Sequence, residues 1–341
     1  MRYVVEPVTR HQNLRSDLSS EMEARQELAA YLEEVLTQIQ SCEPRSEGIL
    51  HSGFSNVPSI SENLYRTLTS RRFACCSRSS SNEFRQRTLE IITRSVRIGE
   101  PVPFYLDIGG GYSAAVCLPD HEFLAGENEL CFAPHCLYLL CLAQIARFQE
   151  AISSIYPVGM HMTLVIDNLV ANYVNEVPLT HTLRFCDRLQ QTIENLGMQS
   201  RVSLLIESEV SDFSKDEMSS VSADKLSRLS ESEYHNILRF SYRWQSRDEA
   251  EWKSILYQKV ATLSERHLSR HIEGVHLTQR RSQSCLSFRS FPGGCARIQT
   301  GRASFQRNSK GKLIPRLLST TNFEGEELLY LPLDQSIQFF S

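Results

Sequence analysis

Apolar residues return every three to four positions from residue 21 to 39 (EMEARQELAAYLEEVLTQI), which puts Leu28, Leu32, Leu36 and Ile39 on one face. That spacing predicts an amphipathic helix, ended by Pro44 and Gly48. The periodicity then fades. Residues 51–82 are rich in Ser, Arg and Asn, which predicts an exposed loop or mobile segment. A second amphipathic helix is expected over Asn82–Ile98.

The pattern changes at residue 102. Short apolar runs now alternate with long helical stretches. Val102–Ile108 (VPFYLDI), Met162–Ile166 (MTLVI) and Val202–Ile206 (VSLLI) read as buried strands. Between them, Pro134–Ile155 reads as a largely buried helix and Thr182–Leu196 as an amphipathic one stopped by Gly197. Strands joined by helices of this length need right-handed crossovers, and so a parallel sheet covered on both faces. Helical stretches follow over about 219–238 and 248–272, and short strands over Ser284–Phe291, Ala296–Ser304 and Leu313–Leu318. The expected architecture is α/β. A helical N-terminal region spans residues 1–100, and a Rossmann-like, mostly parallel sheet with flanking helices spans 101–272. A basic, β-rich part, 273–341, packs on that core.

Ligands of open parallel sheets bind in the crevice beyond the carboxyl ends of the strands. Here those ends carry Asp107 with Gly109, Gly110 and Gly111, then Asp167 with Asn168, then Glu207 with Glu209. Such a rim suits an amine, ribose hydroxyls or a metal ion. Acids and amides at strand ends also simply cap the next helix or turn, and a glycine triplet can be only a tight turn.

The 341 residues carry 36 Lys+Arg against 40 Asp+Glu, a net charge of −4, too balanced to signal nucleic acid or a membrane surface. The charge is nonetheless segregated. Ten basic residues and one acid, Glu273, lie between Arg270 and Arg316. This stretch therefore carries +9 and the rest of the chain −13. Arginine's planar donors suit phosphate, and Arg289, Arg297 and Arg302 are the candidate anchors. No run approaches the ~18 apolar residues of a membrane helix. Ten scattered cysteines behind a polar N-terminus predict reduced thiols in a cytoplasmic protein.

Metal ligation is not expected. Cys131, Cys136 and Cys141 are spaced by five, which on a helix sets neighbours ~140° apart. His267 and His271 share a helix face without an evident third ligand. Nucleophile-elbow, Walker and zincin motifs are not found.

From Val102 to Glu209 the chain resembles the isocyanide (isonitrile) synthase family, the pyoverdine/dityrosine biosynthesis proteins. The resemblance lies in Pro103-Phe104, the helix ending IYPVGM (Tyr156, Pro157, Gly159), TLVIDN with Asp167, and the strand VSLLIES. The tail, SFRSFPGGCARIQTGRAS and KLIPRLL, is loosely similar to the basic C-terminal part of that family. The chain departs from the family pattern where Tyr105, Leu106 and Asp107 occupy a Lys-Ser position, where Asn168 replaces a glycine, and where a terminal Pro-Trp-His stretch is not evident. The resemblance implies an amino acid of the tyrosine or tryptophan type and ribulose 5-phosphate as substrates. The amine condenses with the sugar carbonyl, and fragmentation leaves one carbon on nitrogen. No cofactor is implied. Such chemistry needs acid/base groups, a phosphate anchor and exclusion of water. The catalytic candidates are Asp167, which binds or deprotonates the amine, and Glu207. Asp107, Gly109, Gly110, Asn168 and the three arginines are the substrate-binding candidates.

Two other classes remain open. LDIGGG is similar to the first motif of S-adenosylmethionine-dependent methyltransferases, yet YSAAVCLPDHEFLAGE follows where a helix should begin. Phe288, Phe291 and Phe305 among arginines resemble a stacking-plus-phosphate nucleic-acid surface. The acidic remainder of the chain disfavours a long polyanion.

Overall fold

A computed structural model describes residues 30, 33–42, 56–74, 82–109, 136–175, 179–211, 217, 247–278, 286–289, 303–307 and 313–317. Residues 33–41 are helical. The elements that follow are α1 (Val57–Leu68), α2 (Asn82–Ile98), β1 (Val102–Gly109), α3 (Cys136–Ser153), β2 (Met160–Asp167), α4 (Asn168–Asn175), α5 (Leu179–Asn195) and β3 (Val202–Ile206). After β3 come a 3-10 turn (Glu207–Glu209), α6 (Arg247–His271), β4 (Val275–Thr278), β5 (Leu286–Ser287), β6 (Ala303–Arg307) and β7 (Leu313–Leu317).

β1 to β5 form one sheet in the order β3-β2-β1-β4-β5, and every pairing is parallel. β6 and β7 pair antiparallel by themselves. The register aligns Phe104 with Met162 and Val275, and Met162 with Val202, so one face is apolar throughout. That face joins the main core with α3 and α5 through Leu139, Phe148, Phe185 and Leu189. Phe148 is its hub. Its ring meets Phe73 at 5.0 Å, Phe104 at 5.2 Å and Phe288 at 5.6 Å, tying early and late segments to the sheet.

The opposite face is different. Side chains alternate along a strand, so Tyr105 and Asp107 share this face with Thr163, Val165 and His276, their register neighbours. Tyr105, Val165 and Leu268 of α6 make a small second apolar cluster. Gly274 lets β4 approach β1 closely: a Cβ there would stand 3.0 Å from the Pro103 carbonyl oxygen and 3.3 Å from the Tyr105 ring.

The Tyr-Pro-x-Gly turn is structural. The buried Tyr156 hydroxyl donates toward the carbonyls of Glu100, at 2.9 Å, and Ser95, at 3.2 Å. Burial, with the nearby Glu100 charge, pushes that phenol up to about 12. Gly159 closes the turn with φ +79°, and its position would bring a Cβ to 3.1 Å from the Ser153 hydroxyl.

Several expectations need correction. Residues 51–82 are not all loop: Val57–Leu68 is a helix with Pro58 in its first turn and Leu64 and Leu68 buried. Its apolar positions keep helical spacing, but the Ser and Arg on either side of the helix dominate the composition of residues 51–82. The helix α4 was not expected at all. It is only eight residues long, and its start overlaps the strand-end signal of Asp167. Of the strand expected over 284–291, the described residues give Leu286–Ser287 in the main sheet, preceded by the unexpected β4. The strand expected over 296–304 is described from Ala303 and runs on to Arg307. The helix expected over 219–238 lies outside the described residues, as does most of the basic tail.

Candidate active site

The chain runs from β1 outward to β3, then returns to β4 on the other side of β1. That reversal is a topological switch point, where open α/β sheets hold ligands beyond their carboxyl ends. Asp107 and His276 stand on the two strands that flank it. His276 Nε2 lies 3.0 Å from Asp107 Oδ1 and 2.9 Å from Oδ2. An ionised carboxylate only accepts, so the ring nitrogen carries the hydrogen and donates it. The two side chains are 10% and 19% exposed, desolvated yet reachable. Tyr105 stacks on the imidazole, with centroids 4.4 Å apart and planes 17° off parallel. The strand pairing explains the stack, since Tyr105 and His276 are direct register partners.

One strand further along, the backbone of Gly109 aligns with Asp167. Asp167 is buried, and its Oδ1 accepts from the Val170 amide at 3.2 Å. It therefore caps α4, the bland role foreseen for such a residue. Asn168 is fully buried and donates from Nδ2 to the Ser208 hydroxyl at 2.9 Å, while its Oδ1 accepts from the Ser208 amide at 3.0 Å. This clamp fixes the end of β2 against the turn after β3.

Glu207 opens that turn and is completely buried. Neither carboxyl oxygen has a hydrogen-bonding partner, and the buried Ser211 hydroxyl has none either. Asp167 and the Ser264 hydroxyl of α6 lie close enough to act on Glu207, although neither meets it in hydrogen-bond geometry. Burial pushes the Glu207 carboxyl well above the usual carboxylate range. The charges of Asp167 and Asp107 add to the rise, and Ser264 opposes it. The surroundings of Glu207 thus favour its protonated form, beside an acidic rim.

Of the other candidates, Arg289 follows β5, donates its backbone amide to the Phe73 carbonyl at 2.7 Å, and has a buried Nε without a partner. Gly110, Arg297 and Arg302 lie outside the described residues. The structure thus brings Asp107, Asp167 and Glu207 to one rim and adds His276, Tyr105 and Ser264, which sequence reasoning missed. A lone His within VHLT after a glycine was the available signal for His276. His267 pairs with Glu217 at 3.3 Å rather than with His271, whose ring centroid is 6.2 Å away. Among the described residues no group of three or more His, Cys, Asp or Glu is placed to hold a metal ion. Cys42, Cys141 and Cys186 are buried free thiols, the last two pushed up to about 12, chiefly by burial. A surface groove of about 590 Å3 runs along α2 among Arg85, Leu89, Thr93 and Arg97 and includes no rim residue. No described helix is long and apolar enough to cross a membrane.

Fold and rim together define an α/β protein with a five-stranded all-parallel sheet, flanking helices, and three acids and a histidine at its switch point. No family model matches the sequence, and no curated protein matches it. Among solved structures the chain is similar to the crystal structure of the PvcA protein from Pseudomonas aeruginosa, with a TM-score of 0.54. The likeness covers 78% of this chain and 98% of that one, at 14% identity. At that identity it is a likeness of fold.

Proposed function

We propose that the protein is an isonitrile synthase-like enzyme that joins an amino acid of the tyrosine or tryptophan type to ribulose 5-phosphate. Three features support this reading. The sequence from Val102 to Glu209 resembles the family, the fold is shared with PvcA, a protein of that family, and the switch point carries the required acid/base groups. The observation that carries most weight is the Asp107–His276 pair, within a rim that also holds buried Glu207.

In this reading Asp167 and Glu207 receive the amine. The Asp107–His276 pair moves protons at the sugar carbonyl during condensation and fragmentation, with Asp107 holding the ring in one tautomer. Arg289 anchors the phosphate, joined by Arg297 and Arg302. The alternation that buries Leu286 and Phe288 in the core sets Ser287 on the opposite face, with Arg289 next in that series. Asp167 ends β2 and Arg289 follows β5, three strands away. At about 4.8 Å per strand that is roughly 14 Å across the rim, a span suited to an amine joined to a sugar phosphate. The Arg289 Nε, buried and without a hydrogen-bond partner in the protein, is the donor this reading assigns to the phosphate.

The test is incubation of the purified protein with L-tyrosine or L-tryptophan and carbon-13-labelled ribulose 5-phosphate. The expected product has gained one labelled carbon on nitrogen. Asp107→Asn should abolish it while leaving the protein folded. Absence of labelled product with either amino acid, or full activity of Asp107→Asn, would remove this assignment.

A further inference from the structure

The contact with Asp107 does not by itself fix the His276 imidazole. One N–H of that ring is shared almost evenly between the two carboxylate oxygens, at 3.0 Å and 2.9 Å. A donor held in this way keeps its nitrogen in place, yet the ring plane can still turn about the line from nitrogen to carboxylate. A group that moves protons needs its plane set as well, because the lone pair of a neutral imidazole lies in that plane. With the hydrogen on Nε2, the lone pair is on Nδ1.

Tyr105 supplies that constraint. It is the register partner of His276 and stands two residues before Asp107, on the same face of β1. One strand therefore meets the imidazole twice, at its edge through Asp107 and on its face through Tyr105. The ring centroids are 4.4 Å apart and the planes 17° from parallel, closer than the ~4.5 Å at which aromatic pairs usually begin. The phenol ring is itself packed in, with 1% of its residue exposed. Leu268 of α6 and Val165 of β2 cluster with it. Gly274, two residues before His276, leaves room for the ring, since a Cβ there would come to 3.3 Å from it. Filling the space under α6 needs only apolar volume. A near-parallel stack at the register position, cleared by a glycine, needs a flat face.

We propose that Tyr105 is a positioning residue: its ring face holds the His276 imidazole in the plane that the Asp107 contact does not set, and so fixes the direction in which that ring takes and gives protons. This rests on the reading of the Asp107–His276 pair as the proton-moving group of the site. Tyr105 transfers no proton itself. Removing its flat face lets the imidazole turn, so turnover falls while the affinity for substrates, set elsewhere on the rim, does not.

The full-length protein, labelled with nitrogen-15 histidine, is compared by NMR as wild type, Tyr105→Phe, Tyr105→Leu and Tyr105→Met, with His276→Asn to assign the His276 signals among the ten histidines. Wild-type His276 should show a single set of ring signals, with its hydrogen on Nε2 and its ring protons moved upfield by the stacked phenol. Tyr105→Leu and Tyr105→Met keep apolar bulk without a flat face. They should lose the upfield shift and show the averaged signals of a turning ring, and Tyr105→Phe should restore the wild-type pattern. Product formation from labelled ribulose 5-phosphate is read alongside. The two aliphatic variants should lose about ten- to a hundredfold in kcat, the scale of a misplaced catalytic group, with KM for both substrates close to wild type, and Tyr105→Phe should recover most of kcat. A wild-type His276 without the upfield shift, an unchanged pattern or full kcat in the aliphatic variants, or a Tyr105→Phe as impaired as Tyr105→Leu would each overturn the proposal. If neither aliphatic variant folds, the wild-type shift and Tyr105→Phe still decide it. A wild type that makes no product sinks the proposed reaction, and the imidazole signals then decide this inference alone.

Discussion

A carboxyl held neutral by burial makes stability fall as pH rises, and Glu207 makes that fall measurable. Its folded-state proton affinity is raised, first by desolvation and then by the charge of Asp167. In the unfolded chain a glutamate ionises at its ordinary value, about pH 4.3. Below that point both states hold the proton and the group contributes nothing to pH dependence. Above it the unfolded state loses the proton while the native state keeps it, so the native state binds more protons and unfolding becomes easier with each step in pH. One retained proton corresponds to about 1.4 kcal/mol of stability lost per pH unit, until the native carboxyl itself ionises. Glu207→Gln removes the titration and leaves only a constant offset. Urea denaturation of both proteins at successive pH values above about 4 therefore gives curves that diverge, the variant gaining on the wild type by about 1.4 kcal/mol per unit for as long as the native carboxyl keeps its proton. Parallel curves, or a wild type that gains on the variant as pH rises, would show that Glu207 is ionised in the native protein and refute the argument.

Three further outcomes follow from packing. Phe148→Ala empties the ring position between Phe73, Phe104 and Phe288 and should cost about 3–5 kcal/mol in denaturant unfolding; a loss under about 1 kcal/mol would mean that the three rings do not share one core. Tyr156→Phe leaves the Glu100 and Ser95 carbonyls without that donor. It should cost about 1–3 kcal/mol with product formation unchanged, and a catalytic defect in folded protein would assign the tyrosine a role at the rim. Gly274→Ala forces a methyl to 3.0 Å from the Pro103 carbonyl oxygen, which should cost about 1–3 kcal/mol and shift the His276 imidazole proton signals; wild-type stability and an unmoved His276 spectrum would show that β4 gives way freely.

β1, β2 and β3 were legible because each is a run of apolar residues in a covered sheet, with helices of the right length between them. β4 and α4 were not, for the same physical reason in two guises. Four residues, VHLT, hold too little pattern to distinguish a strand from a turn, and β4 exists because Phe104 and Leu106 of β1 offer it a partner edge. Asn168–Asn175 is short and follows a strand without a break, held by the Asp167 cap and by the Asn168 clamp on Ser208. α1 failed differently. Val57, Ile60, Leu64 and Leu68 are spaced for a helix, but the serines and arginines that follow it (SRRFACCSRSSS) set the composition of the whole segment.

The rim carries the same lesson further. Asp107, Asp167 and Glu207 look alike in the sequence, each an acid closing an apolar strand. Tertiary context separates them. Asp107 is met by His276, 169 residues away. Asp167 spends one oxygen on the amide of Val170, a contact legible from neighbouring residues alone. Glu207 is given neither a cation nor an amide, and the burial that makes it unusual comes from a turn, a strand and α6 closing over it together. Acid/base sites arise where like groups are pushed into unlike environments. The local chain supplies the like groups, and only the parallel crossovers that bring β4 and α6 to this rim make them unlike. The strand ends therefore locate the site, whereas its division of labour depends on His276 and Ser264, which nothing near those acids in the sequence announces.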